Sequence, residues 1–299
     1  MARTRDVVII VIIVFGFLIA FAFAAFMFIG MAGSGSEFNL GRFGGDVGVV
    51  EVFGVIDETS ARKAIDQIDE FVDGSVKAIV IHINSPGGGV APSQELYDAI
   101  VRAREEKPVV ASMSSVAASG GYYIACAADR IVANPGTITG SIGVIMRFHT
   151  AEGLLDKIGI GTETVKSGEL KDVGSYSRSM TEREESMLRS VVMDSYEQFI
   201  EAVALGRGKE PEEIRPLADG SIYTGHQALN HGLVDSLGGL HEAVLLAADL
   251  ASVSGEPSIV RPYEHRQVTI FDLLGSFLGD VSEQVQSPLR GPQLMYIYQ

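Results

Sequence analysis

Two patterns of apolar residues alternate along the first half of the chain. Lys77 to Ile83 is a nearly continuous β-branched run, which is the pattern of a strand buried on both faces. Gln94 to Glu106 instead repeats its apolar residues at helical spacing and so predicts an amphipathic helix. Pro108 to Met113 predicts a second strand, and Tyr122 to Ala128 predicts a second helix. The stretch therefore predicts strand, turn, helix, strand, turn, helix.

The same alternation continues on both sides of this unit. Further strands are predicted at Val49–Ile56, Arg130–Ala133, Gly140–Ile145 and Thr162–Lys166. Further helices are predicted at Asp57–Asp73 with Thr59 or Ser60 as N-cap, Ala151–Ile158, Thr181–Leu205, Pro211–Ala218, Thr224–His231 and Leu240–Ala251. Thr181 and Glu184 have the spacing of a capping box. Strands that alternate with helices predict an α/β domain with a mainly parallel sheet.

The N-terminal stretch has a different pattern. Val7 to Met31 is apolar throughout and carries no charge. About 20 such residues cross a membrane at ~1.5 Å each, and a cleavable signal has an apolar core of only about 7–15 residues. We therefore expect an uncleaved transmembrane anchor. Arg3 and Arg5 place the short N-terminus in the cytoplasm, so the rest of the chain is expected outside a cell membrane that it crosses once.

Charge and cysteine content exclude some classes of function. The formal net charge is −15, which argues against nucleic acid as a partner because phosphate binding needs clustered Lys and Arg. Cys126 is the single cysteine, so an intrachain disulfide is impossible. It falls inside the predicted helix Tyr122–Ala128 and is expected to be a small buried residue, not a thiol nucleophile.

Two glycine-rich turns follow the two central strands. Asn84–Gly89 contains Pro86 and three consecutive glycines, which allow a close backbone approach to a ligand. Ala117–Gly121 places Ser119 between small residues, where a strand-to-helix turn exposes the hydroxyl and the following amides. Side by side, such turns supply a nucleophile and an oxyanion hole. The alternative is that both stretches simply turn the chain.

A serine nucleophile needs a base within hydrogen-bond reach. His149 follows Ser119 in the chain, but a lone histidine is more often a surface or core residue. A neutral lysine can also act as the base, and Lys166 and Lys171 flank Ser167-Gly168 downstream. Spacing alone does not choose between these two lysines.

Several motifs, in this order, resemble the SppA family of signal peptide peptidases. They are Ile83–Gly89 (INSPGGG), Ala117–Ala125 (AASGGYYIA), Thr139–Val144 (TGSIGV), Lys166–Asp172 (KSGELKD), Met180–Glu184 (MTERE) and Asp219–Gly225 (DGSIYTG). Members of the family are membrane-bound Ser-Lys peptidases with a ClpP/crotonase-like fold of repeated ββα units. The resemblance covers about Val47 to Ala251 and has the short, single-domain form.

The resemblance implies a role for each matched residue. Ser119 is the implied nucleophile and Lys171 the general base. The backbone N–H groups of Gly120 and of Gly88, with Gly87 next in order, are the implied oxyanion donors. Ser167 is implied to orient the amine of Lys171. The reaction is acyl transfer through an acyl-enzyme, and it requires no metal and no other cofactor.

The resemblance also implies partners. In single-domain members the dyad is completed between neighbouring subunits, so we expect a homo-oligomer with an inter-subunit active site. The implied substrates are signal peptides already released from preproteins and left in or near the bilayer.

The sequence therefore predicts five segments. These are a cytoplasmic N-terminus (1–6), a transmembrane anchor (7–31), a flexible linker (32–46), a Ser-Lys peptidase domain (47–252) and a C-terminal tail without an assigned role (253–299). Two other classes compete with this interpretation. A crotonase-type acyl-CoA enzyme would need carboxylate acid–base residues and no anchor, and a non-catalytic membrane scaffold would not need Ser119 and Lys171. A soluble ClpP-like peptidase would need a Ser-His-Asp arrangement.

Overall fold

The computed structural model describes Gly16, residues 45–262 and the backbone of Met295–Ile297. By its contacts the chain divides into two units, Met1–Phe43 and Gly44–Gln299, and every described residue except Gly16 belongs to the second. Apart from Gly16, the predicted anchor lies outside the described residues, and so does most of the predicted linker. Within the part of the chain that is described, no helix is long and apolar enough to cross a membrane.

Strands and helices alternate through the second unit. The strands are β1 (Val47–Phe53), β2 (Ala78–Ser85), β3 (Gly87–Gly89), β4 (Val109–Ala118), β5 (Arg130–Ala133), β6 (Ile138–Gly140), β7 (Ile222–Thr224), β8 (Ser236–Leu237), β9 (Ile259–Val260) and β10 (Met295–Ile297). The helices are α1 (Glu58–Asp73), α2 (Val90–Glu106), α3 (Gly120–Ala125), α4 (Glu152–Ile158), α5 (Glu182–Arg207), α6 (Pro211–Ile214), α7 (Gly225–Asn230) and α8 (Leu240–Leu250), with 3₁₀ turns at Glu169–Asp172 and Arg215–Leu217.

Most of the strands form one sheet in the order β7-β6-β4-β2-β1-β9, and β5 pairs with β4 and β8. The pairs are parallel except β6 with β7, so the predicted α/β class with a mainly parallel sheet is confirmed. A separate two-stranded sheet joins β10 to β3 in antiparallel orientation.

The central strands are buried on both faces, as the β-branched run predicts. On β2, Val80 packs in the apolar layer that contains Ala247 of α8, whereas Ile81 faces the larger layer that contains Leu96 of α2 and Ile68 of α1. Successive side chains of a strand point to opposite faces, so a run without polar residues fits only a strand covered on both sides. Helix packing on both faces holds the carboxyl ends of β2 and β4 in place.

The ends of several elements differ from the predictions. Helix α1 is capped by Asp57, and neither Thr59 nor Ser60 is the N-cap. The Asp57 carboxylate accepts from the amides of both residues at 3.1 and 3.0 Å, while the Ser60 hydroxyl accepts from the Asp57 amide. Ser60 is therefore the third residue of a capping box, because a carboxylate one turn earlier competes successfully for the free amides.

Two predicted strands are wrong. Thr162–Lys166 forms no strand; its residues are exposed, and no strand among the described residues pairs with them. The predicted strand Gly140–Ile145 instead ends at Gly140, as β6, because Gly140 and Ser141 have φ of 77° and 51° and break the extended backbone. The Thr181–Glu184 capping box at the start of α5 is confirmed.

Candidate active site

The two glycine-rich turns lie side by side. Strands β2 and β4 are parallel neighbours, and their register brings Ser85 opposite Ala117, so both turns leave the same edge of the sheet. The approach is close, since a Cβ on Gly121 would stand 2.8 Å from the Ser85 carbonyl oxygen. Only glycine allows helix α3 to begin at this distance from the end of β2. The adjacency predicted from the sequence is therefore confirmed.

Ser119 occupies a strained turn between β4 and α3. Its φ of 53° and ψ of −118° lie outside the regions that L-residues favour. Its amide donates to the Gly140 carbonyl at 2.8 Å, and this contact holds the turn against β6. The side chain is buried, and Oγ finds no hydrogen-bond partner among the described residues. A buried hydroxyl without a partner is costly, so such a group is typical of a site that awaits a ligand or a partner group.

Hydrogen bonds at the Gly87–Gly89 turn show which of Gly87 and Gly88 is the better candidate oxyanion donor. The Gly87 amide already donates to Ser85 Oγ at 3.0 Å. The Gly87 carbonyl and the Gly89 amide both bond to Ile56, at 3.0 and 2.8 Å. Because neighbouring residues of a strand turn their polar groups to opposite sides, the N–H and C=O of Gly88 face away from Ile56, toward the edge where β10 lies. The local geometry thus favours Gly88 over Gly87.

Steric space at position 88 allows only a glycine. A Cβ there would stand only 2.0 Å from the Ile56 carbonyl oxygen, which is backbone and cannot rotate away. The second candidate donor, Gly120, is the first residue of α3 and follows Ser119 directly. Amides in the first turn of a helix have no partner within the helix. The two candidate donors, Gly88 and Gly120, therefore lie one on each of the two adjacent turns.

Strand β10 pairs with this same glycine edge. Met295, Tyr296 and Ile297 lie opposite Gly89, Gly88 and Gly87 in an antiparallel register. The sequence did not predict this pairing, because a short apolar run carries no information about which distant strand it pairs with. The pairing demonstrates that the edge of β3 can accept an extended peptide segment.

The candidate bases Lys171, Lys166 and His149 differ in their contacts. Lys171 lies in the 3₁₀ turn Glu169–Asp172, is exposed, and makes no ion pair with the residues that the structure describes. Lys166 is engaged, since its amine contacts Asp172 Oδ1 at 2.5 Å and the Glu169 carbonyl at 2.9 Å. His149 is exposed. Since Ser119 Oγ has no partner among the described residues, none of these groups reaches it within one chain.

Ser167 is also exposed, and no hydrogen bond joins it to Lys171 within the described part of this chain. Its role in orienting the lysine stays a prediction. Cys126 is buried, and its burial raises the pKa of the thiol to about 12. A thiol that is protonated at neutral pH is a poor nucleophile, so the expectation of a structural cysteine is confirmed.

A group of charged residues next to Lys171 was missed by sequence reasoning. Arg178 bonds to both Asp172 and Glu184, and Lys166 completes the group at Asp172. Arg178 holds the pKa of the Asp172 carboxyl well below its usual range and lowers that of Glu184 to about 2. The capping-box spacing predicted the backbone contact of Glu184, but nothing in the sequence indicated its ion pair.

Comparisons with known proteins agree with this geometry. The family model described as peptidase family S49 matches residues 102–254, just over half of the chain, and the Clp protease model matches residues 46–137. The mixed α/β architecture with its largely parallel sheet fits a ClpP-like fold.

Several relatives carry names of the same kind. A Synechocystis protein named as a protease is 42% identical over 204 residues, 68% of this chain and 74% of the relative. A protein of Enterococcus faecium named as a signal peptide peptidase SppA is 40% identical over 58% of this chain and 50% of its own length. Protease 4 of Salmonella typhi is 37% identical over 75% of this chain, which spans 37% of that protein. The chain therefore belongs to peptidase family S49.

Proposed function

We propose that this protein is a membrane-anchored serine endopeptidase that degrades released signal peptides and other apolar peptides near the membrane. Ser119 is the nucleophile and Lys171 the general base. The observation that carries the proposal is the unpaired, buried hydroxyl of Ser119 on a strained turn, next to a glycine edge that binds an extended segment. Among the described serines, only Ser119 combines both features. Ser112 has a buried hydroxyl without a partner but no positive φ, and Ser141 and Ser252 have a positive φ only.

The reaction runs through an acyl-enzyme. The neutral amine of Lys171 takes the proton from Ser119 Oγ as the oxygen attacks the carbonyl carbon of the scissile peptide bond. The N–H groups of Gly88 and Gly120 stabilise the negative oxygen that forms, and each such donor contributes about 3–4 kcal/mol in comparable enzymes. The ammonium of Lys171 then protonates the leaving amine. Water attacks the ester in the same way and releases the acyl product.

The glycine edge supports a peptide as the substrate. Tyr296 lies opposite Gly88 in the β3–β10 pair, and Gly88 presents its N–H and C=O to that side. A substrate that adds to β3 as an antiparallel strand would place one of its carbonyl groups against the Gly88 amide. The pantetheine arm of an acyl-CoA carries amide groups, but they are not spaced as in a run of α-amino acids and cannot continue a regular ladder along β3. This pairing therefore favours a peptidase over a crotonase-type enzyme.

Exposed apolar side chains support an inter-subunit site. None of the residues of α4 is buried, and Leu154, Ile158 and Val165 expose 61%, 58% and 103% of their surface. These residues lie in the same part of the chain as Lys171, which does not reach Ser119 within one chain. Leu154 and Ile158 are one helical turn apart, and exposed apolar side chains on one helix face are typical of a protein–protein contact. We infer that a neighbouring copy covers this surface and that the dyad forms between two subunits.

The membrane location and the substrate class rest on other support. The apolar segment Val7–Met31 is long enough to span a bilayer, and Arg3 and Arg5 favour a cytoplasmic N-terminus with an extracytoplasmic catalytic domain. One relative is named as a signal peptide peptidase. A site held close to the extracytoplasmic face of the cell membrane would meet apolar peptides that leave the bilayer.

The test uses the full chain in detergent and a fluorogenic peptide with a small or apolar residue before the cut. We expect Ser119→Ala and Lys171→Ala each to lower kcat by about 10³-fold or more, as removal of a dyad member does in other serine peptidases. Lys166→Ala and His149→Ala test the two alternative bases.

Two results would change the proposal. Activity that survives Lys171→Ala but is lost in Lys166→Ala or His149→Ala keeps the peptidase and replaces its base. Wild-type protein that is inactive in every state of assembly, while it folds normally, would favour the non-catalytic scaffold.

A further inference from the structure

Apolar packing contributes little to the position of Lys171. Residues 161 to 169 are all exposed, as is Lys171, and the neighbouring Leu170 and Val173 are only partly buried. The 3₁₀ turn Glu169–Asp172 contains no buried residue. A catalytic amine must nevertheless be held within a fraction of an ångström of its working position. We call residues 166–178 the base arm; polar contacts must fix its geometry.

Arg178 makes most of these contacts. Its Nε donates to Asp172 Oδ2 at 3.1 Å, and its Nη2 stands 2.9 Å from Asp172 Oδ1. On the other side, Nη1 donates to Glu184 Oε2 at 2.8 Å, and Nη2 contacts the second oxygen of the same carboxylate. Nη1 also donates to the Ser179 carbonyl at 3.0 Å. The planar guanidinium thus bridges two carboxylates, which a lysine at this position could not do.

Each of the two carboxylates belongs to a different element. Asp172 is the residue after Lys171 and ends the 3₁₀ turn. Glu184 is in the first turn of α5, is only 1% exposed, and also accepts from the Thr181 amide at 2.9 Å. Because Glu184 already caps the helix, its oxygens cannot move to follow the arm. Arg178 therefore connects the turn that bears Lys171 to a fixed point at the end of a long helix.

We propose that Arg178 is a positioning residue, which acts through Asp172 to hold Lys171 at the place where it meets Ser119. The proposal rests on the assignment of Lys171 as the base. Lys166, whose amine bonds to Asp172 on its other side, has a supporting part in the same arrangement. Helix α4 is connected to the end of the base arm as well, since its Glu152 accepts hydrogen bonds from the amide and the hydroxyl of Ser179, the residue after Arg178.

The experiment compares Arg178→Gln and Arg178→Lys with Arg189→Gln in the full-length enzyme. Arg189 forms an exposed ion pair with Glu185 on the same helix and does not contact the base arm, so it is the matched control. We expect Arg178→Gln to lower kcat by about 10- to 100-fold with KM changed less than 2-fold, because a misplaced base affects the chemical step and not substrate binding. Arg178→Lys is expected to fall between Arg178→Gln and wild type.

Two further measurements separate positioning from general loss of structure. Hydrogen exchange at the amides of Lys171 and Val173, which bond within the 3₁₀ turn, should accelerate in Arg178→Gln and not in Arg189→Gln. In an Asp172→Asn background, Arg178→Gln should lower kcat little further, because both changes remove the same link.

The possible outcomes are distinct. If Arg178→Gln retains the wild-type kcat in an enzyme that depends on Ser119 and Lys171, the positioning role is wrong and the proposed function stands. If kcat falls in proportion to the unfolded fraction in a denaturation curve, Arg178 is merely structural. If wild type does not depend on Lys171 at all, the assignment of the base fails and the positioning role fails with it, whereas the peptidase activity is judged by its dependence on Ser119.

Discussion

At the scale of single residues, the strained backbone of Ser119 is the feature that could least be predicted. The sequence indicated a serine at a strand-to-helix turn because glycines follow it, but it left a simple turn as an equal alternative. The backbone dihedral angles of Ser119 depend on two contacts: its amide bonds to Gly140, and Gly121 approaches Ser85 closely. Both contacts join residues that are distant in sequence. Local pattern therefore located the residue but not its conformation.

This strain predicts a difference between two inactive variants. Both Ser119→Ala and Ser119→Gly remove the hydroxyl, but only glycine adopts a φ of 53° without steric cost. We expect Ser119→Gly to be more stable than Ser119→Ala by about 1 kcal/mol in free energy of unfolding. Denaturant titration of both purified variants measures the difference. Equal midpoints would mean that the turn relaxes in the variants and stores no strain.

Local spacing did not choose between Lys166 and Lys171, and only the resemblance to a known family implied Lys171. Both flank Ser167-Gly168, and spacing treats them alike. The structure distinguishes them by their contacts, because the amine of Lys166 is paired with Asp172 while Lys171 is exposed and unpaired among the described residues. An amine that already bonds to a carboxylate and a carbonyl is less available to accept a proton from serine.

At the scale of elements, burial decides which predictions succeed. The β-branched run at Lys77–Ile83 is confirmed as β2, because a strand covered on both faces needs exactly the residues that the pattern shows. Thr162–Lys166 has similar local propensity but no neighbouring strand in the structure, so it does not form a ladder. Strand pairing is a property of the fold, and a propensity scale cannot supply it.

Strand β10 leads to a prediction about access to the glycine edge. Since Gly88 turns its N–H and C=O toward β10, the N–H of Tyr296 faces β3, while those of Met295 and Ile297 face away. Tyr296→Pro should therefore weaken the β3–β10 pairing, whereas Met295→Pro leaves the Tyr296 N–H available to donate to β3. We expect Tyr296→Pro to lower the apparent KM of a peptide substrate several-fold, because a competing occupant reduces the fraction of open sites.

Steady-state kinetics of both variants on one short peptide measures this effect. Tyr296→Ala, which retains the backbone N–H, serves as the side-chain control. Equal KM values for Tyr296→Pro, Met295→Pro and wild type would mean that β10 does not compete with substrate.

At the scale of the whole molecule, the alternation of strands and helices predicted the α/β class and the parallel sheet. It could not predict whether one chain contains the whole active site. A sequence does not reveal whether two residues meet within one chain. The proposed inter-subunit site rests on two structural observations, the unpaired hydroxyl of Ser119 and the exposed surface of α4.

An inter-subunit dyad predicts complementation. Ser119→Ala and Lys171→Ala subunits, each inactive alone, should regain activity when they are co-expressed, because the intact serine of one faces the intact lysine of the other. Random mixing should restore roughly a quarter of wild-type activity if each site draws one residue from each neighbour. Activity of purified, differently tagged mixed oligomers is the measurement. A mixture as inactive as its parents would place the dyad within one chain.

The burial of Cys126 has a practical consequence for such experiments. It is the single thiol of the chain, it is enclosed in the core, and its pKa of about 12 keeps it protonated. The folded protein is thus nearly silent toward maleimides and other alkylating reagents. A cysteine introduced on α4 would react without background, so the existing chain is ready for site-specific labelling and cross-linking between copies, with no need to remove a native residue.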